Sequence, residues 1–289
     1  MRILITGATG QLGTALRPVL AQHDVILKDL PSFDLTGPNC EAEIVEAAPN
    51  VIIHAAAYTN VDGAEKDPDR ARAVNVQGTA TVARAAQRLG ARLLYVSTDY
   101  VFDGTKTSPY EELDEPRPLN VYGQTKYEGE LAVLRHCGDS LVVRTAWLYG
   151  HGGPNFVKTI MRVATQQPFL EVVTDQRGCP TNADELAMAL TKLMASDLRG
   201  ICHVTNQGDC TWHEFAEAIV RSMGLAIEVR PITTLQAGRL ARRPAYSVLA
   251  RHRFETAEKP LPHWNESLSR FVAAQLKANA VGMSSVVHG

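Results

Sequence analysis

Two side chains with acid–base potential stand four residues apart in the stretch Val121-Tyr122-Gly123-Gln124-Thr125-Lys126-Tyr127. On a helix this spacing sets Tyr122 and Lys126 on one face, one turn apart. A free phenol has a pKa of about 10 and exchanges protons poorly at neutral pH. An ammonium one turn away favours the phenolate and draws that pKa toward the working range. A lone Tyr-x-x-x-Lys is weak evidence, because an ordinary exposed helix pair has the same spacing. Its meaning rests on the elements that surround it.

The first of these is a short apolar run, Arg2-Ile3-Leu4-Ile5-Thr6, of the kind buried in a parallel sheet. Gly7-Ala8-Thr9-Gly10-Gln11-Leu12-Gly13 follows at once, and then a helical pattern through Ala15, Leu16, Val19 and Leu20. Strand, glycine turn and helix together make a dinucleotide-binding turn credible: the glycines let a diphosphate approach the backbone, and the helix N-terminus attracts it. A second strand, Val25-Ile26-Leu27, ends at Lys28-Asp29, where such folds place the acid that accepts from the adenosine ribose hydroxyls. Asp34 and Leu35 follow, and Asp34 is placed to meet the adenine amino group. The run Val51-Ile52-Ile53-His54 reads as a third buried strand, with small residues Ala55, Ala56 and Ala57 at its exit, and His54 reads as structural. A helix over Asp69 to Leu89 carries Asn75, Tyr95-Val96-Ser97-Thr98 ends a fourth strand, and Leu141-Val142-Val143 is a fifth that leads to Thr145. Five β-α units in sequence specify a parallel, doubly wound α/β sheet of Rossmann type, with ligands bound beyond the carboxyl ends of its strands. Gly7, Ala56, Thr98, Thr145 and Tyr122 therefore converge on one crevice.

The second half is patterned differently. Asn155 to Gln167 is an amphipathic helix, Leu170 to Val173 a strand, and Asp175 to Thr181 a loop whose Gly178 and Pro180 break regular structure. Asp184 caps a helix carrying Leu186, Leu190 and Leu193, Ile201 to Val204 is a strand, and Thr211-Trp212-His213-Glu214 reads as a helix start. Arg239, Arg242 and Arg243 precede Pro244, and a last helix spans about Glu266 to Lys277. The expected division is a dinucleotide-binding half over 1–150 with later returns near 184–206, a mainly substrate-binding α/β part over 151–280, and a flexible tail over 281–289.

Composition narrows the function. At 289 residues, 45% hydrophobic and 21% charged, with net charge −2, the chain is ordinary for a soluble globular protein and offers nothing to a nucleic acid polymer or an anionic membrane. The five cysteines are scattered without a C-x-x-C pair, which suits a reduced, cytoplasmic protein. Met1 leads straight into a strand, leaving no room for a signal peptide, and no apolar run is long enough for a membrane span. The nine histidines are dispersed, and no cluster has metal-ligand spacing, so no metal is expected.

The G-x-x-G-x-x-G spacing resembles that of the short-chain dehydrogenase/reductases. Nearly the whole chain, from Gly7 to about Leu268, resembles the dTDP-4-dehydrorhamnose reductases within the extended branch of that superfamily. The likeness rests on Ala55-Ala56-Ala57-Tyr58-Thr59-Asn60-Val61-Asp62, Ser97-Thr98-Asp99-Tyr100-Val101-Phe102-Asp103-Gly104, Arg144-Thr145-Ala146-Trp147-Leu148-Tyr149-Gly150, Asp175-Gln176-Arg177-Gly178-Cys179-Pro180-Thr181 and Arg243-Pro244. The resemblance implies that Tyr122 is the proton donor, that Lys126 is its partner and a ligand of the nicotinamide ribose, and that Thr98 holds the substrate carbonyl. It implies that Thr98, Asp99, Tyr122, Trp147, Asn155 and Arg177 meet a dTDP-linked deoxysugar. Gly7, Thr9, Gly10, Gln11, Leu12, Gly13, Asp29, Asp34, Leu35, Ala55, Ala56, Ala57, Tyr58 and Lys126 are then the cofactor contacts.

The physical reading agrees: hydride arriving at a ketone leaves an alkoxide that must be stabilised and protonated as it forms. The expected activity is reduction of dTDP-4-dehydro-6-deoxy-L-mannose to dTDP-L-rhamnose with NADH or NADPH. Asp29 tips the cofactor slightly toward NADH, because a carboxylate there repels a 2′-phosphate. The rivals are a reductase for another nucleotide-linked 4-keto-6-deoxysugar, and a non-catalytic NADP-binding subunit resembling the methionine adenosyltransferase β subunit. Some members of the family pair through magnesium held by glutamates, one just after the third motif glycine. Here Thr14-Ala15 stands in that place, so a monomer or a homodimer formed another way is expected.

Overall fold

The computed structural model describes residues 1–286. The apolar, β-branched runs of the first half form β1 (Arg2–Thr6), β2 (Asp24–Lys28), β3 (Val51–His54), β4 (Arg92–Thr98) and β5 (Ser140–Thr145). Between them lie α1 (Gln11–Val19), α2 (Cys40–Ala47), α3 (Val61–Lys66), α4 (Pro68–Arg72), α5 (Thr79–Leu89) and α6 (Val121–His136). The second half supplies β6 (Leu148–Tyr149), α7 (Phe156–Val163), β7 (Phe169–Val173), β8 (Arg177–Gly178), β9 (Thr181–Asn182), α8 (Ala183–Leu193) and β10 (Gly200–His203). It continues with β11 (Cys210–Thr211), α9 (Trp212–Ser222), β12 (Glu228–Ile232), α10 (Thr234–Ala237), α11 (His252–Ala257) and α12 (Trp264–Val286).

The main sheet has six strands in the order β10-β5-β4-β3-β1-β2, and every adjacent pair is parallel. From β1 the chain runs outward to β2 and then returns to the other side of β1 as β3. That reversal is the topological switch point, and it opens the crevice expected of a doubly wound sheet. Strands buried on both faces need apolar side chains on both faces. Ile3, Ile5 and Ile53 pack against α1 and α8, while Leu4, Ile52 and Tyr95 pack against α2, α5 and α6. The sixth strand, Gly200–His203, comes from the second half of the chain and pairs with β5.

A separate apolar core is built from α7, α9, α12 and the parallel pair β7–β12, around Val157, Ile160, Phe215, Ile219, Leu268 and Phe271. The Thr211–Glu214 start of α9 is a complete capping box. Four local expectations give way. Asn182, not Asp184, caps α8, its side chain accepting from the Asp184 and Glu185 N–H groups. The 175–181 stretch is not all loop: β8 pairs with β11, and β9 pairs with β6. The Asp69–Leu89 helix is interrupted by a π-helical turn over Ala73–Gly78. There the buried Asn75 side chain bonds the backbone N–H and C=O of Tyr58 and the Thr125 hydroxyl, locking the turn to α6. The last helix runs on to Val286 instead of ending near Lys277; of the expected tail, residues 287–289 lie outside the described residues.

Candidate active site

The loops after β1, β3, β4 and β5 meet in a crevice of about 780 Å³. Gly7 has φ +71°, and a Cβ there would lie 2.7 Å from the Ala56 backbone nitrogen, so only glycine lets the loops after β1 and β3 close together. Gly10 caps α1 with no side-chain hydrogen bond, which leaves the first-turn N–H groups facing the crevice for an anion. Two buried oxygens on the crevice wall, Gln11 Oε1 and Thr145 Oγ1, have no partner among the described residues. An open helix N-terminus and two orphaned polar atoms suit a diphosphate-bearing dinucleotide. Nearly all the cofactor candidates line this crevice, from Gly7 through Asp29, Asp34 and Leu35 to Ala55, Ala56, Ala57 and Lys126. Tyr58 stands behind the wall, its backbone held by Asn75.

At the adenosine end the Asp29 carboxylate closes the glycine loop. It accepts from the Thr9 N–H at 2.7 Å, from the Thr9 hydroxyl at 2.6 Å and from the Leu30 N–H at 2.9 Å. Lys28 also lines the crevice, and its ammonium is engaged there: it pairs with Glu43 at 2.8 Å and lies over the Phe33 ring. Asp34 accepts from the Thr36 N–H and hydroxyl, and these bonds with Arg70 nearby hold its carboxyl below the usual range. Arg70, from α4, is a second cation on this wall beside Lys28. Sequence reading did not single it out, because α4 begins well beyond the strand ends that mark a dinucleotide site.

Tyr122 and Lys126 lie one turn apart on α6, whose N-cap Asn120 accepts from the Gly123 N–H at 2.7 Å. Both line the crevice with Thr98 and Asp99. Their electrostatics differ from the expected coupling. Burial pushes the Tyr122 phenol up to about 12, opposed by the neighbouring Thr98 hydroxyl, so it remains a protonated donor at neutral pH. Lys126 donates to the Val96 carbonyl at 2.8 Å and sits 4.1 Å from the Tyr95 ring centroid. Burial lowers the Lys126 ammonium to about 7, and Glu130, one turn further on, opposes that shift. Desolvation, not the coupling their spacing suggested, is the largest cause of both shifts.

Glu130 belongs to a fully buried cluster. It accepts from Arg144 Nη2 at 2.6 Å and Nε at 2.9 Å, and from the Ser97 hydroxyl at 2.5 Å. His54, read as structural, is bonded between the Thr6 and Thr79 hydroxyls, and burial lowers it to about 3.

The far wall is aromatic. Trp147 and Trp212 stack at 3.6 Å with planes 6° apart, and Phe156 lies 4.5 Å from Trp212. Trp147 holds φ +46°, and a Cβ on Gly178 would stand 2.5 Å from its indole, so two rare backbone features fix one ring. Trp212 and Phe156 were not expected here. Trp212 read only as part of a helix start, and nothing local signals that α7 and α9 bring both rings to Trp147.

Two expected substrate contacts are not brought to this crevice. Asn155 is the N-cap of α7: its side chain accepts from the Lys158 N–H and donates to the Gly150 carbonyl. Arg177 is held by Asp209 at 2.6 Å and Glu214 at 3.1 Å, beside a smaller depression. In each case fixed partners within the second half satisfy the side chain. Among the described residues no group of three or more His, Cys, Asp or Glu could hold a metal ion, and no helix is long and apolar enough to cross a membrane.

A doubly wound sheet with a glycine-loop dinucleotide cradle and a Tyr-x-x-x-Lys helix at its switch point defines an oxidoreductase of the short-chain dehydrogenase/reductase class. Residues 1–277 match the RmlD substrate binding domain family, and the chain belongs to that family. It is 40% identical to a dTDP-4-dehydrorhamnose reductase of Sinorhizobium fredii, over 96% of this chain and 98% of that one. It is 39% identical to the spore coat polysaccharide biosynthesis protein SpsK of Bacillus subtilis, over 96% and 99% of the two chains. Its fold matches the crystal structure of the dTDP-4-dehydrorhamnose reductase of Bacillus anthracis in complex with NADP with a TM-score of 0.92, at 40% identity, covering 94% of this chain and 99% of that one.

Proposed function

We propose that this protein reduces dTDP-4-dehydro-6-deoxy-L-mannose to dTDP-L-rhamnose with a nicotinamide dinucleotide. The observation that carries the reading is the meeting of Thr98, Tyr122 and Lys126 in the one crevice that also holds the glycine cradle and an aromatic wall. When bound, the reduced nicotinamide supplies the hydride. Tyr122 gives the developing alkoxide its proton, a step its high pKa suits because the phenol is fully protonated at working pH. Thr98 offers the second hydroxyl to the same oxygen. Lys126 adds positive charge beside the phenol and bonds the ribose. Trp147, stacked on Trp212, offers an apolar surface to the deoxysugar. The two lobes of the chain then divide the labour, the parallel sheet holding the dinucleotide and the second half presenting the sugar.

The test is oxidation of NADH and NADPH against a panel of dTDP-4-keto sugars, with the product sugar identified. Tyr122→Phe should keep cofactor affinity and lower kcat by about 100-fold or more. Turnover of a different stereoisomer alone would transfer the activity to another 4-keto-6-deoxysugar. No turnover with any sugar, together with tight binding to a partner enzyme, would replace the catalytic reading with a regulatory one.

A further inference from the structure

The Thr98 hydroxyl has one proton and two acceptors beside it, Asp99 Oδ1 at 3.1 Å and the Tyr122 phenol oxygen, while the Tyr100 N–H donates to the hydroxyl oxygen at 3.2 Å. Asp99 is 2% exposed, and its second carboxyl oxygen accepts from the Ser247 hydroxyl at 2.5 Å. Ser247 lies on a segment strapped across the site: Arg242 O accepts from Asn120, Arg243 pairs with Asp62 at 3.0 Å, and the Ser247 N–H donates to Arg177 O. A hydroxyl whose only proton is given to a carboxylate cannot also donate to a substrate carbonyl.

We propose that Asp99 acts as a neutral carboxylic acid that turns the Thr98 hydroxyl into the crevice and returns a proton through it to Tyr122 after each turnover, with Ser247 as the positioning residue that holds the carboxyl in place. This inference rests on the reductase reading above. With the proton on Asp99 Oδ1, the bond reverses: the acid donates to Thr98 Oγ1, which already accepts from Tyr100, and the Thr98 proton is freed for the crevice. The balance is complete. Tyr122 loses its proton to the alkoxide, the phenolate takes the Thr98 proton, Thr98 takes the Asp99 proton, and Asp99 is left as a carboxylate to be reprotonated from solvent.

The groups around Asp99 support this direction. Burial raises its carboxyl to about 7 against the opposing bonds from Ser247 and Thr98, whereas the phenol it serves stands near 12, so the transfer runs downhill. Tyr100 is a protonated phenol raised by burial. Arg243, the cation of the strap, is paired with Asp62, and Lys126 is bonded to Val96. Neither is bonded to the Asp99 carboxyl.

Asp99→Asn separates orientation from relay, because its amide can donate to Thr98 but has no proton to pass on. The expected result is a burst of one product per site followed by a steady state slower than the wild type on the order of tenfold or more. Infrared difference spectra of the cofactor complex should show a protonated-carboxyl band that titrates with a midpoint near 7 and is absent in Asp99→Asn. Ser247→Ala removes a donor to the charged form, so that midpoint should rise by about one unit, and Ser247→Thr should restore it. A steady-state rate in Asp99→Asn equal to the wild type, or a wild-type Asp99 that is ionised throughout the active pH range, would overturn the proposal. Failure of the wild type to reduce any 4-keto sugar would instead overturn the reductase reading, and the band with its dependence on Ser247 would still report whether Asp99 is held neutral.

Discussion

Glu130→Gln removes one negative charge from the catalytic helix α6 without changing the shape of the side chain. Glu130 lies one helical turn from Lys126, and its charge raises the Lys126 pKa against burial. Residues four apart on a helix place their charges roughly 7 Å apart, and at an effective dielectric of about 20 that separation is worth about 2.4 kcal/mol. This equals about 1.7 pKa units, which the Arg144 partner of Glu130 reduces toward one. Lys126 should therefore fall from about 7 to roughly 5.5–6. A lysine whose folded pKa is depressed loses its charge as pH rises through that pKa, so the alkaline limb of kcat/KM should move down by about one unit or more. At pH 7 the charged fraction drops from about half to about a tenth, and the rate should fall about fivefold. The same change leaves the fully buried Arg144 without its counter-charge, which costs on the order of 3–5 kcal/mol of stability. The assay is kcat/KM against pH at a temperature well below the melting transition of both proteins. A uniform loss of activity with an unmoved limb would mean that Glu130 serves only the fold and that Lys126 does not depend on it.

Other outcomes follow from the same geometry. The wild type should use both dinucleotides with NADH ahead by kcat/KM. Asp29→Ala should narrow or reverse that ratio while weakening both through the lost bonds to Thr9, and Arg70→Ala should lower kcat/KM for NADPH selectively, by about tenfold. An equal effect of Arg70→Ala on both cofactors would remove it from the 2′-phosphate. Gly178→Ala should raise KM for the sugar with little change in cofactor affinity, since the new methyl must displace the Trp147 indole; an unchanged KM would remove Trp147 from the sugar site. Acid should destabilise the fold through His54 and His203, both held near 3 against about 6.5 when unfolded. Their contribution is present above pH 6.5 and is lost as pH falls, by about 2 kcal/mol each between pH 6.5 and 5. Asp99, raised to about 7, works in the opposite direction and offsets about one of them. Urea titrations should show a net loss of about 2 kcal/mol in the wild type and about twice that in Asp99→Asn, and equal losses would contradict the opposing signs.

What could be read from the chain alone follows from where each signal resides. The buried strands announce themselves because both faces of a parallel strand must be apolar over several consecutive residues, as Ile3 to Ile5, Val51 to Ile53 and Leu93 to Val96 are. Gly7 and Gly13 mark the dinucleotide turn because close backbone approach is a property of the residue itself. Tyr122 and Lys126 are placed together by helical periodicity, and the order of β-α units brings them to the carboxyl ends of the strands. Other features depend on neighbours distant in sequence. The joining of Gly200–His203 to β5, the stacking of Trp212 on Trp147 and the commitment of Arg177 to Asp209 and Glu214 all required the packed fold. So did the sign of the Tyr122 shift: spacing showed an ammonium one turn away, and only the tertiary structure showed that burial of the phenol governs its pKa. The Ser247–Asp99–Thr98 chain spans almost 150 residues and is bonded at both ends. Local sequence specifies which groups are present; burial and long-range contacts decide which are charged and where each hydroxyl proton points.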